Sequence, residues 1–211
     1  MYIFILDIFA RLKIQGGLVF NTLLIIFLGI GAYAYIKKST FTPETFGLSL
    51  KNWRPAVKEA ITWSIGFIVI AIVLKWLIIT TIPAFQTMPL LTMNVFYSFG
   101  WLKSSLFVLV YALAVPAQEI TIRCAFQGSL QHFLDGKYAT TKAILIASFI
   151  FSAFHLIANP FFAYGTFIPS ILWGILFARN PSLLGVSISH IILGIFFIYF
   201  EYLPIPGLVQ L

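Results

Sequence analysis

The apolar runs of this chain are too long and too uninterrupted to face water, and this restricts the fold more than any other feature. Residues 17–36 and 164–178 contain no charge, and 60–82 contains a single lysine, Lys75. In hydrocarbon every backbone N–H and C=O must be paired within the protein, which leaves helices or closed barrels. The alternating apolar and polar segments of a membrane barrel are absent, so the runs predict helices. Of 211 residues, 61% are hydrophobic and 9% charged. A soluble domain of this size is roughly 25% charged and could not cover its surface with so few charges. The sequence therefore predicts an all-α polytopic membrane bundle of one domain.

The pattern divides the chain into an interfacial amphipathic segment (1–16), a transmembrane domain (17–200) and an irregular tail (201–211) with Pro204 and Pro206. Asp7, Arg11 and Lys13 interrupt the first segment too often for it to span. Six spans are expected, at 17–36, 60–82, about 103–134 with a kink at Pro116, 143–158, 164–178 and 183–200. Lys75 is expected to snorkel from the outer end of the second. Residues 84–100 are uncharged and read as an outer loop or a partly inserted segment. The basic connections around 37–58, 135–142 and 179–182 mark the cytoplasmic side, in a bacterial cytoplasmic membrane.

The net charge of +7 is accounted for by this topology. No basic cluster interleaved with exposed aromatics exists, so nucleic acid is not an expected partner. Cys124 is the one cysteine, which excludes an internal disulfide and a thiolate metal cluster.

Against this background a few polar side chains stand out. Glu119 and Arg123 are i,i+4 with the acid first, the favourable order for a pair. Gln118 adjoins Glu119 and is expected to share its cavity. Phe151 and His155 are also i,i+4, which predicts an aromatic ring stacked below the imidazole. His190 is followed one turn later by Gly194, where a backbone or substrate can approach closely. At about 1.5 Å per residue, Glu119 lies ~24 Å from the outer end of its span. His155 and His190 lie ~20 Å and ~10 Å above the inner ends of theirs. These depths permit the three to meet. Ionisable groups at membrane depth usually line a bundle interior or wet cavity and mark function.

The chemistry that fits is hydrolysis. A carboxylate and an imidazole can activate water as general bases, or can ligate a metal that does so. A second imidazole can donate to a developing oxyanion, and Arg123 can hold the carboxylate charged and oriented. Taken singly, the pair Glu119–Arg123 reads equally well as a neutralised structural bridge, and a lone histidine as packing; the weight lies in the combination. His132, near Asp135 at a helix end, reads as an interfacial residue, and Cys124 as a packing residue.

These residues resemble the CAAX prenyl protease and bacteriocin-processing family of membrane proteins (CPBP, or Abi). That family carries Glu-Glu-x-x-x-Arg, Phe-x-x-x-His and His-x-x-x-Asn/Asp on separate helices. Here the counterparts, in the same order, are Gln118-Glu119 to Arg123, Phe151 to His155, and His190 to Gly194, within residues 116–194. The resemblance implies an intramembrane endopeptidase acting on a membrane-associated peptide or protein. Glu119 and His155 would activate water, His190 would stabilise the oxyanion and Arg123 would orient Glu119. If a divalent metal such as zinc takes part, Glu119, His155 and His190 would be its ligands. Two departures matter. Gln118 replaces a glutamate and cannot accept a proton at neutral pH, which leaves Glu119 as the carboxylate of the motif. Gly194 removes the side-chain donor of the third motif. A non-catalytic immunity or scaffold protein that keeps the protease fold is the alternative. A transporter ranks below both, for want of an inverted repeat or paired broken helices.

Overall fold

The computed structural model describes residues 18–51, 53–92, 94–157 and 160–199. The interfacial segment expected at 1–16 and the tail at 201–211 lie outside the described residues. Within them the chain is helical and forms no strand. Six long helices follow one another: α1 (Leu18–Lys38), α2 (Trp53–Thr81), α3 (Asn94–Glu119), α5 (Ala139–Phe154), α6 (Pro160–Arg179) and α7 (Leu183–Tyr199). A π-helical stretch, Ile120–Gln127, and a short helix α4 (Gly128–Phe133) continue α3.

Among the described residues three helical stretches, Trp53–Thr81, Gly100–Phe133 and Phe162–Arg179, are long and apolar enough to cross a membrane. Ala139–Phe154 and Leu183–Ile198 are shorter apolar helices. Large apolar side chains such as Val69, Ile70, Leu109, Leu113 and Phe149 point outward, as a bundle solvated by lipid requires. The protein is an integral membrane protein.

Small residues set the helix spacing, as they do where lipid removes the hydrophobic drive for helix association. A Cβ on Gly29 of α1 would lie 2.7 Å from Cβ of Ala117 on α3, and one on Gly185 of α7 would lie 3.1 Å from Ala56 of α2. Between α2 and α7, the buried Ser64 and Ser189 hydroxyls share a 2.7 Å hydrogen bond. This bond fixes α7 one residue before His190. The buried apolar core runs through Ala60, Ile122, Ala147, Phe151, Trp173 and Leu193.

The basic connections meet at one end of the bundle. Phe41 stacks on His132 with centroids 4.8 Å apart, and Glu59 binds Arg179 at 2.6 Å and also Asn180. Gly47 joins two of these connections: its carbonyl accepts from the Leu183 N–H at 2.8 Å.

Two local expectations fail. The backbone stays helical through Pro116, and the break falls instead at Gly100, with φ 71° and ψ 162°. Only glycine adopts such angles freely. The second irregularity is the wide π turn beginning just after Glu119. Lys75 is buried rather than snorkelling outward.

Gly47 also has φ 73°, and a Cβ there would lie 2.8 Å from the Phe177 ring and 2.9 Å from the Ser182 nitrogen. Gly47→Ala is therefore expected to lower stability by about 1–3 kcal/mol, read as a fall in the melting temperature of the detergent-solubilised protein. Gly66→Ala is the control. No atom lies within 4 Å of the added methyl, and stability should hold or rise.

Candidate active site

Glu119 is the last residue of α3 and is fully buried. The π stretch that follows carries Arg123 and Gln127, at successive spacings of four, to the face that meets α6. Such π segments are rare and often accompany functional sites. Arg123 donates from Nη1 to Gln127 Oε1 at 2.8 Å, and from Nη2 to the Ser170 carbonyl at 2.8 Å and to the Ser170 hydroxyl. Gln127 in turn donates to the Gly174 carbonyl at 2.9 Å. Residues 123 and 127 on one strand of this ladder thus meet 170 and 174 on the other, both four apart. A Cβ on Gly174 would fall 3.1 Å from both Arg123 Nη1 and Gln127 Oε1, so α6 needs glycine there to admit the guanidinium.

This ladder holds a buried positive charge beside Glu119. Arg123 Nε lies 3.5 Å from Glu119 Oε2, a charge contact without hydrogen-bond geometry. The other carboxylate oxygen, Oε1, is 2.6 Å from Nδ1 of His190 on α7. An ionised carboxylate only accepts, so Nδ1 carries the proton and Nε2 of the neutral ring is left as an acceptor. Trp173 of α6 stacks on the His190 ring, with centroids 3.9 Å apart and planes 18° from parallel. Phe151 meets the same ring edge-on at 5.4 Å. The imidazole is thereby fixed by one ionic hydrogen bond and two aromatic walls.

His155 is held differently. It follows the last residue of α5, where the final carbonyls lack helical partners. Its Nδ1 lies 2.9 Å from one of them, the Phe151 carbonyl. A carbonyl only accepts, so this nitrogen too is protonated and Nε2 is the acceptor. The Phe151 ring is 4.6 Å from the His155 ring and tilted by 47° rather than stacked. Phe151 therefore touches both imidazoles.

Of the residues expected in one site, the structure joins Glu119, Arg123 and His190, with Phe151 against the last. His155 is linked to them through the Phe151 ring and not by a bond to Glu119. Among the described residues no three His, Cys, Asp or Glu side chains group so as to hold a metal ion. The ligand set Glu119, His155 and His190 accordingly does not fit a metal in this arrangement, because Phe151 lies against both rings and Glu119 is committed to His190 Nδ1. Gln118 lines a cavity of about 90 Å3 with Tyr111, Phe107 and Ala114, and Glu119 is not among the residues that line it. The space beside Gly194 is not open either, since the Tyr111 hydroxyl and ring lie against it.

Five contributors were not singled out from sequence. Gln127 had a readable signal, a polar residue eight beyond Glu119 in an apolar run. Ser170, Trp173, Gly174 and Tyr111 had none, since each is an unremarkable residue of an apolar helix until α3, α6 and α7 are brought together.

These features define a helical membrane protein whose bundle interior holds a carboxylate, a guanidinium and an imidazole in direct contact. Comparison with known families finds one similarity: a family model described as type II CAAX prenyl endopeptidase Rce1-like matches residues 100–196. That stretch includes all three motifs, and over it the chain is similar to the Rce1-like family. No curated protein and no solved structure matches the chain.

Arg123→Lys keeps the charge but loses the planar fork that reaches Gln127 and Ser170 together. Stability is expected to fall by about 2–4 kcal/mol, measured by thermal unfolding in detergent, because the carboxylate and Gln127 lose a buried partner.

Proposed function

We propose that this protein is an intramembrane endopeptidase that hydrolyses a peptide bond in a membrane-associated peptide or protein. The observation that carries the reading is the fully buried Glu119 carboxylate bonded to His190 at 2.6 Å, within the segment matched to an endopeptidase family. A carboxylate that orients an imidazole leaves Nε2 as a general base, and stabilises the imidazolium once the proton is taken. His190 Nε2 takes a proton from water as the water oxygen attacks the scissile carbonyl carbon. The same nitrogen returns the proton to the leaving amine. Arg123 places a positive charge beside the buried Glu119 carboxylate. His155, with its own acceptor Nε2 on the other side of Phe151, holds the attacking water or the peptide. This assigns the base to His190, where the family resemblance assigns it to Glu119 with His155.

The chemistry runs on the protein's own groups, so activity is expected to survive a chelator such as 1,10-phenanthroline. Loss of activity with the chelator, restored by zinc, would return Glu119, His155 and His190 to the role of ligands. The family description makes a prenylated C-terminal peptide the first substrate to try.

The test compares membrane and secreted peptides from cells carrying wild type, a deletion, Glu119→Gln and His190→Ala. A peptide cut in wild type is expected to persist in the other three, with cleavage down about 100-fold or more, while both variants accumulate normally. The departures at Gln118 and Gly194 favour a second reading, a non-catalytic immunity or scaffold protein. A deletion phenotype fully complemented by both variants would select it.

A further inference from the structure

In the arrangement just described neither neutral imidazole keeps a proton to offer the oxyanion. Both imidazoles have committed their Nδ1 protons, to the Glu119 carboxylate and to the Phe151 carbonyl. The Arg123 η nitrogens are engaged by Gln127 and Ser170. Gly194 has no side chain to offer. A tetrahedral intermediate formed beside His190 carries a negative oxygen, and a preorganised donor there is usually among the larger contributions to rate.

Tyr111 of α3 lies beside His190. Its ring meets the His190 ring edge-on, with centroids 6.0 Å apart and planes at 76°. Phe107, one turn earlier, lies nearly parallel to it at 6.2 Å and supports the ring. The hydroxyl occupies the place that a Cβ at position 194 would take, and the ring carbon bearing it would be 2.6 Å from that Cβ. Any side chain at 194 would displace it, so glycine at 194 and tyrosine at 111 form a matched pair. The hydroxyl reaches the His190 carbonyl only at 3.5 Å, a long contact that leaves its proton free to turn toward a stronger acceptor. Tyr111 also lines the cavity that contains Gln118, next to Glu119 in the chain.

We propose that Tyr111 is a further catalytic residue, its hydroxyl donating to the carbonyl oxygen of the scissile bond in the space left by Gly194. Water adds to the carbonyl carbon, its proton goes to His190 Nε2, and the C=O electron pair moves onto oxygen, which accepts the Tyr111 hydrogen bond. The oxygen's electron pair then returns as the C–N bond breaks, and the amine leaves with the proton from His190. No oxidant or further reactant is required.

This inference rests on the endopeptidase reading. The test uses full-length protein in liposomes with two fluorogenic probes, an S-farnesylated CAAX-type peptide and its unprenylated form. Tyr111→Phe removes one oxygen and keeps the ring in place. Its kcat is expected to fall about 100-fold with KM within about twofold, the signature of a group that acts only in the transition state. Wild-type cleavage with an unchanged kcat in Tyr111→Phe would overturn the role of Tyr111 and leave the endopeptidase reading intact. Wild type inert on both probes, and indistinguishable from Glu119→Gln, would overturn that reading and this inference with it. Should Tyr111→Phe fail to accumulate, the pair Tyr111→Ala and Tyr111→Ala/Gly194→Asn decides. An asparagine donor in the vacated space is expected to restore at least about tenfold of the activity lost in Tyr111→Ala. A double variant no better than the single one would overturn the assignment.

Discussion

The structure depends on keeping one carboxylate ionised inside a helical bundle in lipid. An isolated charge taken from water into a medium of low dielectric is strongly unfavourable, and it persists only when paired and hydrogen-bonded. Glu119 is buried completely, and it is paired from two directions, by Arg123 in its own chain segment and by His190 from α7. The pairing shifts the problem to Arg123, which is also fully buried and needs acceptors of its own. Gln127 and the Ser170 carbonyl and hydroxyl provide them. The polar centre is therefore one connected network across α3, the π stretch, α6 and α7.

That network explains features of the backbone that have no local cause. A glycine in the middle of α6 is unfavourable for helix stability, yet at 174 it is the space through which the guanidinium and Gln127 reach α6. The π turn after Glu119 widens the helix where Arg123 and Gln127 must both face one neighbour. Ser64 and Ser189 lock α7 against α2 beside His190, so the imidazole is positioned by packing on Trp173 and Phe151 and by the register of its helix. A site built this way is rigid because its members sit on helices whose spacing is set by small residues on facing surfaces.

The fold was largely legible in the sequence, and the reason is hydropathy. Runs such as 17–36 and 183–200 have one stable solution in hydrocarbon, and where they are described they are helical. The contacts among residues 41, 47, 59, 132, 179 and 183 gather the basic loops at one end of the bundle. Glu119–Arg123 was legible because an i,i+4 spacing brings residues together without knowledge of any other helix. The position of the break in α3 was not. Proline carries a strong local expectation, but the backbone changed course at Gly100, where glycine adopts a φ of 71° freely, and widened after Glu119.

By itself the sequence determined which residues lie in the membrane, which helices they form, and which few of them are able to ionise there. Each of these follows from the cost of leaving polar groups unpaired in lipid, a property of composition and spacing alone. The tertiary structure decided the partners. It bonded Glu119 to His190 and not to His155, put the Phe151 ring against both imidazoles, moved Gln118 into a cavity with Tyr111, and filled the space at Gly194 with a phenol from α3. Such choices depend on the rotation and register of one helix against another. Those are fixed by interlocking side chains on several helices at once, so no single segment of the sequence contains them.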